Sequence, residues 1–96
     1  MSEVTSIRLH IHGRVQGVWY RGWVVAEAEE LGLSGWVRNR RDGSVEALLS
    51  GPEPVVRTMI ARCRRGPSAA RVDHIVEVPV SEAAGPGPGF RQLPTL

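Results

Sequence analysis

An α+β fold with the order strand, helix, strand, strand, helix, strand is what this 96-residue sequence predicts. Three observations carry that prediction. Apolar and polar residues alternate at period two in several stretches, two other stretches place apolar residues at helical spacing, and glycine, proline and Asp-Gly groups punctuate the joins. With right-handed crossovers this order becomes a ferredoxin-like βαββαβ sandwich, an antiparallel sheet with two helices on one face. A chain of 96 residues makes a single domain, 1–96, and one helix layer on one sheet is about what it can bury.

In chain order, Thr5–His12 alternates Ile7, Leu9 and Ile11 with Arg8, His10 and His12, which is a strand with one wet face. Tyr20, Val24, Ala28 and Leu31 then recur at helical spacing, and Gly32 is the expected C-terminal cap. Leu33–Asn39 reads as a second strand, Asn39-Arg40-Arg41-Asp42-Gly43 as a turn, and Ser44–Ser50 as the returning strand. Gly51-Pro52-Glu53-Pro54 is expected to break that strand and open the second helix. That helix carries the stripe Val55, Val56, Met59, Ile60 and Cys63 and stops at Gly66-Pro67. Arg71–Val80 is the fourth strand. Ile75 falls out of step there with Val72, His74, Val76 and Val78, so its buried face stays open. Glu82–Gly89 is expected to be a mobile loop, and Phe90–Leu93 a short fifth strand.

Composition narrows the function classes. The chain is 42% hydrophobic and 23% charged, with no apolar run long enough to span a membrane and no secretory signal at its start. A cytoplasmic monomer with no membrane partner is expected. Net charge is +2, and all twelve basic residues are arginine, which points to genome composition rather than to selection for phosphate binding; the charge permits a polyanionic partner without arguing for one, and no nucleic-acid partner is expected. One cysteine, Cys63, excludes an internal disulfide and any multi-cysteine zinc site, and it lies on an apolar stripe as a small hydrophobe. His10 and His12 share a strand face, but no third metal ligand accompanies them.

The stretch from His12 to Arg21 is where chemistry is expected. It joins the first strand to the first helix, with Gly13 and Gly17 in the turn and Arg21 in the helix's first turn. Two readings stay open on pattern alone. The glycines are plain turn residues and the arginine an exposed side chain; or loop and helix-start N–H groups form an anion cradle. Likewise Asn39, ahead of an Asp-Gly turn, either bonds nearby backbone or serves a site.

Gly13-x-Val15-Gln16-Gly17-Val18-x-x-Arg21, with Gly35-Trp36-Val37-x-Asn39-x-x-Asp42-Gly43-x-Val45, resembles the acylphosphatase family. The likeness continues through Gly51-Pro52 and Arg71-Val72-Asp73 to Phe90 and Pro94-Thr95, nearly the whole chain. The resemblance implies that Arg14, Val15, Gln16, Gly17 and Val18, together with Arg21, bind a phosphoryl group. It implies that Asn39 holds the attacking water, so Arg21 and Asn39 are the expected catalytic residues. The implied substrate is a small acyl phosphate and the implied product inorganic phosphate, with no metal and no cofactor. That is consistent with the leaving group, a carboxylate of conjugate-acid pKa roughly 4 to 5, which departs without a proton. Trp19-Tyr20 stands where relatives commonly carry smaller or phenylalanine-type residues, and Val24 where some carry threonine; the first departure bears on acyl preference. RNA-recognition modules share the element order, but neither the first strand nor Ser44–Ser50 has the aromatic residues on which such modules stack bases. Larger maturation proteins that carry such a domain continue into cysteine-rich zinc motifs, which are absent here.

Overall fold

The computed structural model describes residues 4–81 and 89–96, and within them the predicted order holds. The elements are β1 (Val4–Arg14), α1 (Tyr20–Glu30), β2 (Ser34–Asn39), β3 (Val45–Pro52), α2 (Glu53–Arg65), β4 (Arg71–Val80) and β5 (Phe90–Gln92). Apart from Gly89, the expected mobile loop lies outside the described residues. The sheet order is β4-β1-β3-β2-β5. β1 pairs antiparallel with β3 and β4, and β2 with β3, but β5 lies parallel to β2. The sheet is therefore mixed rather than purely antiparallel.

One face of the sheet makes the core. Ile7, Leu9 and Ile11 of β1, Val37 of β2, and Val45, Ala47 and Leu49 of β3 are buried with Tyr20, Val24 and Ala28 of α1 and Val56, Met59, Ile60 and Cys63 of α2. Each buried Val, Leu, Ile or Met side chain among these contributes about 1.5–3 kcal/mol on burial. Arg62 of α2 reaches across to Glu27 and Glu30 of α1 at 3.2 and 3.0 Å. Arg57 and Arg64 tie α2 to Glu77 of β4, both at 2.7 Å. The opposite face carries a buried carboxylate, Glu46, with Arg38 at 2.8 Å, Arg40 at 3.4 Å, and Arg8 and His10 each at 3.8 Å. His12 stacks on His74 across β1 and β4, ring centroids 4.4 Å apart.

The structure answers the question left by Ile75. The β1–β4 register shifts between His12 and Gly13, so Ile11 faces Ile75 and His12 faces His74 while Gly13 faces Val72. Asp73 is the extra residue of a bulge, and an extra residue reverses the side-chain alternation. Val72 and Ile75 consequently both pack against the core. Gly13 belongs to this bulge, where a Cβ would come within 2.1 Å of the Arg71 carbonyl oxygen. It is a strand residue, not a loop residue. β3 also runs two residues further than expected, to Pro52 opposite Val4, because extended backbone at Pro52 (φ −60, ψ 139) completes the strand and caps α2 at once.

Cys63 and Tyr20 close the space between the helices, with the Tyr20 hydroxyl donating to the Cys63 carbonyl oxygen at 2.8 Å. Burial pushes the Cys63 thiol from 9.0 up to about 12 and raises the Tyr20 phenol as well. A raised acid favours folding below its unfolded pKa, and that contribution is lost as pH climbs toward the folded value. The thermal midpoint is thus expected to hold up to about pH 9 and to fall between pH 9 and 12. At pH 8 an aromatic disulfide reagent should leave Cys63 untouched in the native protein and label it in guanidinium. Rapid native labelling would contradict this packing.

Candidate functional site

The two helices begin differently. α2 follows the usual rules: Glu53 stands in its first turn, Pro54 follows, and Arg62, Arg64 and Arg65 occupy its last turn. Those charges complement the helix dipole at both ends. Neither helix has a side-chain cap at its start, but α1, unlike α2, also has no acidic residue in its first turn. Arg21 sits there instead. The first-turn N–H groups of a helix have no intrahelical acceptor, so an uncapped start presents them outward. At its other end α1 is conventional: Gly32, at φ 71, and Leu33 donate to the Glu29 and Ala28 carbonyls, a Schellman cap.

The loop that feeds α1 is Val15–Trp19. Val15 is buried and anchors it, and Gly17 (φ 74) and Trp19 (φ 62) both adopt left-handed backbone. Left-handed residues this close together curl a chain so that successive N–H groups face one side, a conformation suited to anions. Nothing lies within 4 Å of a Cβ built on Gly17, so its glycine is needed for conformation and not for space. For Trp19 the left-handed backbone costs about 1–2 kcal/mol. Observed strain of this kind collects at functional positions.

The loop is latched to the β2–β3 turn. The Gln16 side-chain amide donates to the Arg40 carbonyl at 2.7 Å and to the Ser44 carbonyl at 2.9 Å. The turn is itself well braced, since Ser44 donates through its N–H and hydroxyl to one Asp42 carboxylate oxygen at 2.9 and 2.6 Å. Those bonds hold the Asp42 carboxyl below its ordinary value. The Asn39 carbonyl accepts from the Leu96 N–H at 3.1 Å, and Leu96 accepts from Arg41 at 3.2 Å. Asn39 is therefore held from both sides, by β3 and by the tail.

These elements enclose a cleft of about 160 Å³ lined by Val15, Gly17, Trp19, Tyr20, Arg21, Gly22, Asn39 and Gln92. Arg21 and Asn39, far apart in sequence, thus share one cavity. Among the described residues no carboxylate lies within ion-pair distance of Arg21. Asn39 Oδ1 is buried and has no hydrogen-bond partner in the protein. A buried acceptor left in this way costs about 1–3 kcal/mol, so native chains keep few. A cation, an uncapped helix start and an orphan acceptor around one small cavity can hold an anion and order a neighbouring small polar molecule.

Most of the other residues of the expected set fall around this cavity. Val15 and Gly17 line it; Gln16 turns its side chain to the hairpin; Val18 packs against the core. Arg14 ends β1 opposite Arg71, exposed and outside the lining. Gln92 and Gly22 escaped the sequence reading. Gln92 depends on parallel pairing of β5, opposite Val37, which no local pattern announces. His10 and His12 lie on the open sheet face, and among the described residues no three His, Cys, Asp or Glu side chains converge.

The Acylphosphatase family model matches residues 7–91. The chain is 56% identical over 91 residues to an acylphosphatase of Rhodospirillum rubrum, covering 95% of this chain and 98% of that one. It is 56% identical to an acylphosphatase of Rhodopseudomonas palustris over the full length of both. The crystal structure of acylphosphatase from Bacillus subtilis superposes with a TM-score of 0.87 at 34% identity, covering 93% of this chain and 98% of that one.

Gln16→Ala removes both donors of the latch and leaves two carbonyls without them. The expected loss is about 1–2 kcal/mol, which lowers the melting temperature of a domain this size by roughly 4–16 °C. Equal melting temperatures for the variant and the parent would show that the amide does not hold loop and hairpin together.

Proposed function

The chain belongs to the acylphosphatase family and is a hydrolase of that kind, and from this premise we propose how it works: Asn39 holds the water that attacks an acyl phosphate, without a metal. The observation that carries the reading is the buried, partnerless Asn39 Oδ1 in the same cleft as Arg21 and the uncapped start of α1.

The phosphoryl group carries its charge on oxygens, and the transition state spreads that charge over three of them. The N–H groups of the Val15–Trp19 loop and of the first turn of α1 donate to these oxygens, and the Arg21 guanidinium supplies a bidentate cation. Arg21 thereby gains a favourable partner at a helix terminus that otherwise repels it. Asn39 Oδ1 accepts a hydrogen bond from the water and orients its lone pair toward phosphorus. The P–O bond to the acyl group breaks as the water oxygen forms its own bond to phosphorus. The leaving carboxylate takes the electron pair and needs no proton, because its conjugate acid has a pKa of roughly 4 to 5. An amide is no base, so the water's proton passes to a phosphate oxygen. The products are a carboxylate and inorganic phosphate. Because Arg21 and the N–H groups supply the positive charge and the leaving group is already stable, the scheme has no step left for a metal ion.

Purified protein is expected to release phosphate from benzoyl phosphate in the presence of chelator, and no release above background would sink the proposal. Arg21→Gln should raise the Kd for inorganic phosphate and lower kcat by on the order of 10²-fold. Asn39→Ala should lower kcat by a similar factor while phosphate still binds, and equal loss of binding and turnover would contradict the water-holding role. Since that variant also removes an orphan buried acceptor, its ligand-free melting temperature should equal or exceed the parent's.

A further inference from the structure

Resting on that reading of the cleft, we propose that Trp19 is the acyl-group platform, and that it selects acyl phosphates whose acyl part is aromatic or an extended apolar chain. In an in-line displacement the leaving oxygen departs opposite the attacking one, so the acyl group lies away from the water on Asn39. Of the other lining residues, Val15 and Tyr20 are each only 1% exposed, and the Tyr20 hydroxyl is committed to the Cys63 carbonyl. Gly17 and Gly22 have no side chain, Arg21 is charged, and Gln92 is polar. Trp19 is the one large apolar side chain on the wall that is open, at 68% exposure.

Its placement is built rather than incidental. The indole lies against the first turn of α1, where a Cβ on Gly22 would come within 2.2 Å of Trp19 Nε1 and within 2.8 Å of Trp19 Cε2. Gly22 therefore gives the ring its seat. The left-handed backbone of Trp19, unusual for a bulky residue, is what turns the chain into α1 with the ring on the cleft side. Neither the strain nor the exposure contributes to the core, which is complete with Tyr20, Val24 and Ala28 on α1's inner face. A flat indole beside the phosphoryl cradle offers stacking and apolar contact to an aromatic acyl group, and little to a methyl.

The test compares benzoyl phosphate with acetyl phosphate in the parent protein, Trp19→Gly and Trp19→Phe. Glycine accepts the left-handed backbone, so the first variant removes the ring without adding strain. The ratio of kcat/KM for the two substrates cancels any general loss of activity, and comparing that ratio between variant and parent cancels the difference in leaving-group chemistry. It is expected to fall about tenfold in Trp19→Gly, mainly through KM for benzoyl phosphate, and to recover largely in Trp19→Phe. A ratio within twofold of the parent's in Trp19→Gly would overturn the platform while leaving the hydrolase intact. If neither substrate is hydrolysed, the catalytic proposal fails instead. Relative affinity for benzylphosphonate and methylphosphonate, measured by calorimetry on the same proteins, then decides the platform by the same tenfold criterion.

Discussion

Two hydrogen bonds from one amide hold the two halves of the cleft in register. The loop before α1 and the turn after β2 are separate pieces of chain. Gln16 joins them by donating to Arg40 and Ser44 together. Its anchor points are themselves restrained: Ser44 by Asp42, and Arg40 by its guanidinium reaching Glu46 at 3.4 Å. The carboxylate that organises the open sheet face is thus linked through Arg40 to the loop on the other side of the hairpin. A site that depends on placing an acceptor relative to a cradle within a fraction of an ångström needs such a bridge.

Local disadvantage is concentrated at the cleft. Arg21 stands at the positive end of a helix dipole, Trp19 is left-handed, and Asn39 Oδ1 has no protein partner. α2 and the far end of α1 are conventional by contrast, with complementary charges on the one and a Schellman cap on the other. Under the proposed chemistry a bound dianion with its water relieves two of these costs together, the cationic first turn and the orphan acceptor. Ligand binding and folding are then thermodynamically linked, and the empty protein is its own least stable form.

The architecture was largely legible because it rests on periodicity. Ile7, Leu9 and Ile11 alternate cleanly, α2 carries a clear stripe, Tyr20, Val24 and Ala28 of α1 are buried at helical spacing, and Asp42-Gly43 forms the turn it advertises. What escaped depends on pairing between distant segments. The direction of β5 follows from its partner, not from Phe90-Arg91-Gln92 itself. The bulge at Asp73 exists only in relation to Gly13 of β1, so Ile75 looked out of step until the register was known. Arg21 and Asn39 stood out through motif resemblance, whereas the Gln16 bonds span 24 and 28 residues and no local pattern encodes them.

Gly22 has a consequence for how such a protein can diverge. Because the Trp19 ring occupies the space a Cβ at position 22 would need, the two positions are not free to change independently. A methyl added at 22 would force the ring from its seat, since the nearest atoms it meets all belong to the Trp19 side chain. Under the proposed chemistry the fold thus separates two kinds of heredity within one small pocket: residues that act on the phosphoryl group, and a coupled pair beside them that can drift together and retune which molecules are accepted.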